Sequence, residues 1–293
     1  MNAQFHCMVG LPRTGKTTFL AALWHLLGAS EVPSELILER LEGDHAHLNA
    51  ISNAWLGCDE MARSSRLNLQ FPVTMHLKQP ASGQTITLRF PDLAGESFES
   101  QFASRKCKPD YLDGYEQPGG LLLFVNADRG SDGMTIVEVG TATSAVEEEI
   151  KIGEAAPAPI ETTAEKINEW SAEDVPEQVR LVDLLQFLQR APFTRRRRRL
   201  AVIVSAWDVI ADANLTPSQW LAREMPFLHQ FLSSNSQAFE SRVYGVSAQG
   251  GSVKGEVREK LLRMVPSERL LCVGPESREN DLTVPIMWLG SEG

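Results

Sequence analysis

Eight consecutive residues near the start of the chain could hold a row of phosphate groups. They run from Gly10 to Thr17 and fit the pattern G-x-x-x-x-G-K-[ST] at every fixed position. In this pattern the glycines let backbone N–H groups point inward at the phosphates, and the lysine, here Lys16, reaches the outer ones. The hydroxyl of Thr17 would bind a Mg²⁺ that bridges the same oxygens. These residues predict a site for a nucleoside triphosphate.

The segments on either side of this phosphate loop have the patterns that the motif needs. Phe5–Val9 is short and mostly apolar, which predicts a strand, and Thr18–Leu27 predicts a helix. A helix that begins at the loop adds the partial positive charge of its N-terminus. The alternative is a chance glycine-rich turn, which would not explain the flanking strand and helix. The predicted phosphate-binding residues are Gly10, Arg13, Thr14, Gly15, Lys16, Thr17 and Thr18.

Asp92-Leu93-Ala94-Gly95 is a second candidate part of the site. It follows two alternating segments, Leu67–Leu77 and Thr85–Phe90, which a turn around Gly83 joins into a predicted hairpin. An aspartate at this strand end would accept hydrogen bonds from Mg²⁺-bound water, and the Gly95 N–H would contact the terminal phosphate. The pattern D-x-x-G is common by chance, so the interpretation depends on its place at a strand end behind the phosphate loop.

The remaining strands and helices alternate, which predicts a doubly wound α/β sheet, mostly parallel with one antiparallel strand and with helices on both faces. Leu121–Asn126, apart from the closing asparagine, and Leu200–Val204 are continuous apolar runs, as is typical of strands buried on both sides. Residues 30–66 predict a helical connection that ends near Gly57. Further helices are predicted at 179–188, 217–233 and 254–264, and further strands at 241–246 and 270–273.

We expect a single domain, residues 1–293, with an insertion at residues 128–177. Residues 145–180 hold ten acidic residues against three basic ones, with Pro157 and Pro159 in the middle. A segment of this composition buries too little apolar surface to order itself. The insertion is therefore predicted to be solvated.

The composition of the whole chain excludes several classes of protein. The net charge of −10 argues against a dedicated binder of nucleic acid or of anionic membranes. The four cysteines lie far apart without a C-x-x-C pair, which favours reduced thiols over disulfides or zinc. No apolar run approaches the roughly 18 residues of a membrane span, and the N-terminus continues directly into the first strand. The sequence predicts a cytoplasmic protein.

With these motifs in this order, the chain resembles the Ras-like GTPases of the translation-factor-related class. Ser205-Ala206-Trp207-Asp208 follows a buried strand where that class carries N-K-x-D, and Ser247-Ala248-Gln249 follows the next strand where it carries S-A-K. The resemblance implies that Asp208 accepts from the guanine N1 and N2 donors, that the Ala248 N–H donates to the base carbonyl, and that Ser247 belongs to the nucleotide-binding residues. Ser205 and Ala206 replace the asparagine and lysine of that motif. An ATPase on the same sheet therefore stays an alternative.

Within that class, the chain is similar to the double-GTPase group of bacterial conflict and defence systems. Residues 10–24, the segment Asp92–Glu96 and the closing residues 284–289 carry this likeness. The resemblance implies GTP or GDP and Mg²⁺ as ligands. It also implies a second GTPase or an effector protein as the partner, and the role of a molecular switch.

Three residues are candidates for catalysis: Lys16, Glu96 and Arg63. Where the class usually has a glutamine that orients water, this chain has Glu96, whose charge would repel the γ-phosphate, so slow hydrolysis is expected. Ser64, or alternatively Ser65, would bind Mg²⁺ together with Thr17 and Asp92, and Arg63 precedes them as a cis arginine finger would. An exposed polar loop is the alternative for this segment. A module that binds nucleotide without turnover also remains possible.

Two other features have simple interpretations. The five consecutive residues Arg195–Arg199 could meet an acidic or phosphate-bearing partner, but a solvated cap at a helix end is the favoured prediction. Trp24 is spaced along the first helix with Leu20, Leu23 and Leu27, which predicts a core residue.

Overall fold

A computed structural model describes residues 4–60, 73–90, 95–107, 109, 115–116, 119–129, 172, 175–275 and 277–291. The strands are β1 (Gln4–Val9), β2 (Ile37–Glu42), β3 (Val73–Lys78), β4 (Thr85–Phe90), β5 (Leu121–Asn126), β6 (Arg198–Ser205), β7 (Phe239–Ser247), β8 (Leu271–Val273) and β9 (Arg278–Glu279). The main helices are α1 (Lys16–Ala29), α2 (His45–Leu56), α3 (Gly95–Ser104), α4 (Glu177–Phe187), α5 (Pro217–Glu224), α6 (Pro226–Ser234), α7 (Gly255–Leu262) and α8 (Val284–Gly290).

The strands form one mixed sheet in the order β2-β3-β4-β1-β5-β6-β7-β8-β9. The five central strands, from β4 to β7, pair in parallel, and β3 runs antiparallel to β4 as the hairpin predicts. The predicted doubly wound α/β sheet is confirmed. Among the described strands β8 is a second reversed one, because Leu271 pairs with Ser247 at the end of β7 and the chain must run back from there.

The prediction of a helical connection over residues 30–66 was wrong for Ile37–Glu42, which is the edge strand β2. Its pairing with β3 shifts register between Leu38 and Arg40, so its apolar residues do not alternate regularly. That irregular spacing made the stretch look helical. The predicted end near Gly57 is confirmed, since α2 ends at Leu56.

The single helix predicted at 217–233 is two helices, α5 and α6, which meet at Pro226. A proline has no N–H to donate to the carbonyl four residues earlier, so the first helix ends just before it.

Helices cover both faces of the sheet, as predicted. Alternate side chains of each strand point to opposite faces, so Met8 packs beneath α1 and α2 while Cys7 and Val9 pack beneath α3 to α6. Trp24 lies at the margin of the first layer, where it is half-buried and donates from Nε1 to Asn49 Oδ1 at 3.0 Å. The carboxyl ends of the parallel strands therefore all lie at one edge of the sheet.

His6 lies on β1, directly before the phosphate loop, and is fully buried. Its Nδ1 accepts a hydrogen bond of 2.9 Å from the Gly120 N–H. Burial, together with the nearby Arg199, lowers the pKa of His6 to about 4. The ring is neutral in the folded protein at neutral pH.

The prediction that the arginine run is a solvated cap was wrong for Arg196, Arg198 and Arg199, whereas Arg195 and Arg197 are exposed. Arg196 and Arg198 donate to the carbonyl of Tyr115, Arg198 at 2.9 Å, and Arg199 donates to the carbonyl of Trp288 at 3.0 Å. These arginines connect the start of β6 to neighbouring segments. They satisfy backbone carbonyls at the edge of the sheet opposite the phosphate loop.

Most of the predicted insertion at 128–177 falls outside the described residues. Across the part of the chain that the structure describes, no helix has the length and apolar character needed to cross a membrane.

Candidate functional site

The phosphate loop connects β1 to α1, and its two glycines are required by close contacts. A Cβ on Gly10 would lie 3.0 Å from the Cβ of Phe124, and one on Gly15 would lie 2.9 Å from the Cβ of Ser205. Gly15 also has a φ of 82°, in the left-handed region that side chains disfavour. The loop therefore fits tightly against the ends of β5 and β6.

Lys16 occupies the inside of this loop. Its Nζ donates to the carbonyls of Gly10 at 2.8 Å and Leu11 at 2.6 Å and lies 3.3 Å from Thr14 Oγ1, and the residue is 4% exposed. The Thr14 hydroxyl itself donates to the Leu11 carbonyl at 2.9 Å. The buried Lys16 ammonium can exchange these neutral carbonyl oxygens for the charged oxygens of a phosphate, which are stronger hydrogen-bond acceptors.

At the other end of the site, two motifs meet through their side chains. Asp208 is the second residue of the 3₁₀ helix Trp207–Ala213 that follows β6, and Ser247 is the last residue of β7. The Ser247 hydroxyl donates to the Asp208 carboxylate, and it accepts from the Gly250 N–H at 3.1 Å. The serine thereby orients the carboxylate that the sequence predicts to read a base.

Trp55 of α2 contacts the same region and was missed by the sequence reasoning. Its indole Nε1 donates to the carbonyl of Ala248 at 2.7 Å, and the residue is 0% exposed. Gln249 follows Ala248 and contacts Cys58 Sγ at 3.3 Å. Trp55 has the spacing of an ordinary core residue, so the sequence held no signal for a contact nearly two hundred residues away.

The segment after α2 is connected to α7 by charged side chains. Arg258 of α7 donates to the carbonyls of Gly57 at 2.8 Å and Cys58 at 3.0 Å. Lys254 pairs with Glu60 at 2.6 Å, and the hydrogen bond from Lys254 lowers the pKa of Glu60. Residues 57–60 are thus held beside the loop that follows β7.

One cavity of about 1040 Å³ joins the two ends of the site. Predicted residues that line it are Arg13, Thr14, Gly15, Lys16, Thr17, Thr18, Asp208 and Ala248. Lining residues that were not predicted include Asp59, Glu60, Glu99, Asn126, Asp128, Glu177, Arg180 and Lys254. The structure therefore brings the phosphate loop and the two predicted base-binding motifs to one concave surface.

Several predicted residues cannot be placed in this cavity. Arg63, Ser64 and Asp92 lie outside the described residues. Gly95 begins α3, and the side chain of Glu96 in the first turn of that helix is not described.

The Thr17 hydroxyl is the described group that fits a Mg²⁺ ion. Thr17 lines the cavity directly after Lys16, in the first turn of α1. A hydroxyl oxygen beside a phosphate site suits a hard cation that keeps most of its water and phosphate ligands.

The sequence was compared with families of known proteins. A sequence profile of the family described as Double-GTPase 1 matches residues 7–289. The chain belongs to the Double-GTPase 1 family. The resemblance inferred from the motifs is confirmed, and GTP is the nucleotide that this membership indicates. A comparison with curated proteins gave no match.

Solved structures similar to this member of the Double-GTPase 1 family include two translation-factor-like proteins. The GTPase-like domain of S. cerevisiae Ski7, bound to GTP, is 13% identical with a TM-score of 0.39, covering 85% of this chain and 44% of that one. Bacterial selenocysteine-specific elongation factor EF-Sec is 11% identical with a TM-score of 0.39, covering 90% of this chain and 30% of that one. The chain thus spans less than half the length of either.

A small GTPase is also similar. Arl6 BBS3 from Trypanosoma brucei, with a bound nucleotide analogue, is 10% identical with a TM-score of 0.35, covering 92% of this chain and 99% of that one.

Proposed function

We propose that this Double-GTPase 1 protein is a molecular switch that binds GTP with Mg²⁺, hydrolyses it slowly, and acts with a second GTPase or an effector protein in a bacterial conflict or defence system. One observation supports the nucleotide chemistry above all others. The phosphate loop and the Asp208–Ser247–Ala248 group line or border one cavity, although they come from distant parts of the chain.

Binding would begin with the triphosphate in the phosphate loop. Lys16 leaves the carbonyls of Gly10 and Leu11 and donates to the β- and γ-phosphates, and backbone N–H groups at the start of α1 donate to the remaining oxygens. Thr17, with Asp92 and Ser64, would hold Mg²⁺, which supplies positive charge to the same phosphates.

Hydrolysis would be an in-line attack by water on the γ-phosphorus. The new bond to the water oxygen forms as the bond from phosphorus to the β–γ bridging oxygen breaks, and the water proton goes to the released phosphate. Lys16 stabilises the charge that develops on the bridging and γ-oxygens. Glu96, in the position of a water-orienting glutamine, repels that charge, which is why we expect turnover on the slow scale of unassisted switch proteins.

The base end would select guanine through Asp208. A carboxylate accepts from the two neighbouring donors at guanine N1 and N2, whereas adenine offers no such pair on that edge. The bond from Ser247 orients the carboxylate, and the Ala248 N–H would donate to the guanine carbonyl. This arrangement does not need the lysine that Ala206 replaces.

The switch itself would be the segments around Ser64 and Asp92. Contacts to the γ-phosphate would order them in the GTP state and release them after hydrolysis. An effector would then bind the ordered surface. A bacterial cytoplasm is the proposed compartment, and it suits the four cysteine thiols, none of which forms a disulfide.

The test is titration calorimetry with GTP and with ATP in the presence of Mg²⁺, followed by phosphate release from the same samples. Asp208→Asn should remove most of the preference for GTP, while Asp59→Asn, which changes another carboxylate of the cavity, should keep it. Equal affinity of the wild-type protein for GTP and ATP would overturn the assignment to guanine.

A binding module without turnover is the second candidate, and Glu96 in place of glutamine favours it. Its signature would be tight binding of GTP with no release of phosphate over hours. Measurable release that Lys16→Ala abolishes would exclude it.

A further inference from the structure

An arginine faces the nucleotide cavity from a helix that the sequence analysis did not connect with chemistry. Arg180 lies on α4, and its NH1 donates to Glu99 of α3 at 2.7 Å. Both residues line the same cavity as Lys16. Their side chains are 12% and 17% exposed, so the pair is largely withdrawn from solvent.

A chain of contacts places this pair beside the phosphate loop. Asn126, at the end of β5, donates from Nδ2 to the carbonyl of Arg13 in the loop at 2.9 Å. Three residues later, Arg129 lies 3.6 Å from Glu177. Glu177 precedes Arg180 by three residues on α4, so the two share one face of that helix. The start of α4 thus contacts the chain just after β5, whose end contacts the phosphate loop, and Arg180 lines the cavity that these elements share.

One N–H donor of the Arg180 guanidinium makes no hydrogen bond among the described residues. Its Nε is buried and has no hydrogen-bond acceptor among the described residues. An arginine presents its donors in a planar fork that matches the oxygens of a phosphate. A γ-phosphate in the cavity would offer Arg180 a more highly charged acceptor than the single carboxylate of Glu99.

A second ion pair between the same parts of the structure shows what a purely structural contact looks like there. Arg105, just after α3, pairs with Asp183 of α4. The Arg105 side chain is 54% exposed and also lies 5.1 Å from the ring of Phe187. Neither Arg105 nor Asp183 lines the cavity among the described residues. One pair thus joins the helices at the surface, and the other faces the nucleotide site.

We infer that Arg180 is a catalytic residue that contacts the γ-phosphate of GTP, and that Glu99 is a positioning residue that holds it back in the nucleotide-free state. This inference rests on the proposed GTP hydrolysis. It assigns the role of a cis arginine to Arg180 on α4, on described contacts, whereas the sequence analysis assigned it to Arg63.

The position of Glu99 connects this role to the nucleotide state. Glu99 is on α3, and α3 begins at Gly95, the residue expected to contact the γ-phosphate. A movement of Gly95 towards the γ-phosphate would move the first turns of α3 and weaken the bond to Arg180. The guanidinium would then stabilise the charge on the γ-oxygens as the bond to the bridging oxygen breaks. Retention by Glu99 would be a second cause of slow turnover.

The test compares four proteins by single-turnover phosphate release, with GDP affinity measured on the same samples: wild type, Arg180→Ala, Glu99→Gln and the control Arg105→Ala. Arg180→Ala should slow release about a hundredfold, the lower part of what an arginine contributes to such a reaction. Its affinity for GDP, which lacks the γ-phosphate, should stay within about twofold. Glu99→Gln should accelerate release about tenfold, because the neutral amide holds the guanidinium less strongly.

A transition-state analogue separates catalysis from structure. The wild-type protein and Arg105→Ala should form a complex with GDP and aluminium fluoride, whereas Arg180→Ala should not. The inference is overturned if Arg180→Ala releases phosphate as fast as Arg105→Ala, or if Glu99→Gln is slowed as much as Arg180→Ala, which would indicate a structural pair. If the wild-type protein binds GTP and releases no phosphate, the proposed hydrolysis fails first and this role fails with it.

Discussion

The two ends of the proposed nucleotide cavity are built in different ways. At the phosphate end, Lys16 and Thr14 bond to Gly10 and Leu11, all within one short loop. At the base end, the bonds join distant parts of the chain, such as Trp55 to Ala248 and Ser247 to Asp208. The side-chain hydrogen bonds of the phosphate end are therefore local in the sequence. The base end exists only where the whole fold brings its parts together.

This difference has a consequence for how each end responds to change. Shortening a side chain of the phosphate loop, as in Lys16→Ala, should act on the triphosphate directly and leave the fold intact. A substitution far away in the sequence should disturb the base end first, because its groups depend on the packing of α2 against the loop after β7. The following predictions test that contrast.

The largest effect is expected for Lys16→Ala. Two charge-assisted hydrogen bonds to the β- and γ-phosphates disappear, which should lower GTP affinity on the order of a thousandfold. Titration calorimetry measures it, and the thermal unfolding temperature should stay close to that of the wild-type protein. A loss of less than tenfold would contradict the local character of the phosphate end.

Acid should lower the free energy of unfolding of the whole protein through His6, and so affect both ends of the cavity together. The unfolded chain takes up a proton on histidine near pH 6.5, whereas the folded chain does so only at the lowered pKa of about 4. Between these values the unfolded state binds more protons. The stability contribution is therefore fully present above about pH 6.5 and is lost as the pH falls towards 4, by about 3 kcal/mol.

Urea unfolding between pH 7 and pH 4.5 measures this loss. His6→Asn is the control, because an amide oxygen can still accept from the Gly120 N–H but does not titrate. The loss of stability in the variant should be smaller by about 2 kcal/mol. Equal losses in the two proteins would show that His6 is not the group responsible.

A smaller and selective effect is expected for Trp55→Phe. The buried Ala248 carbonyl loses its donor, which costs about 1–2 kcal/mol. GTP affinity should fall about tenfold and ATP affinity much less, so the preference for GTP narrows. Trp24→Phe removes another indole hydrogen bond, to Asn49 on α2, and should leave that preference unchanged. An equal change of the GTP preference in the two variants would contradict the distinction between the base end and the phosphate end of the cavity.

The smallest effect is expected for Lys254→Ala. Lys254 and Glu60 both line the cavity, but their side chains are 76% and 69% exposed, so solvent screens the pair. The rate at which a fluorescent GDP analogue dissociates should change by less than about twofold. A change in this dissociation rate of more than fivefold would show that the exposed pair of Lys254 and Glu60 contributes strongly to the base end.

The same contrast explains what the sequence could predict. The phosphate loop was found in full because its residues are adjacent and their spacing reflects the geometry directly. Asp208 and Ser247 were found only as parts of motifs at strand ends, and nothing in the sequence indicated that one bonds to the other. Trp55 and Arg180 have the ordinary spacing of helix residues, so their contacts with the site could come only from tertiary structure.

In the fold, β5 and the centre of β6 were predictable because each is a run of five consecutive apolar residues. The edge strand β2 was not, because a register shift disrupts its alternation and four of its six residues are exposed. The arginines at the start of β6 were misread for a similar reason. Charged residues in a row suggest solvent, and only the structure supplies the carbonyls of Tyr115 and Trp288 to which they donate.

The close fit of Gly15 against Ser205 joins the phosphate loop to the end of β6. Because a Cβ on Gly15 would lie 2.9 Å from the Cβ of Ser205, a bulkier side chain at either position would push against the other. Neither position can change freely while its neighbour stays the same. A shift of the backbone at the end of β6 would therefore displace the phosphate loop, so the two ends of the cavity keep a fixed spacing.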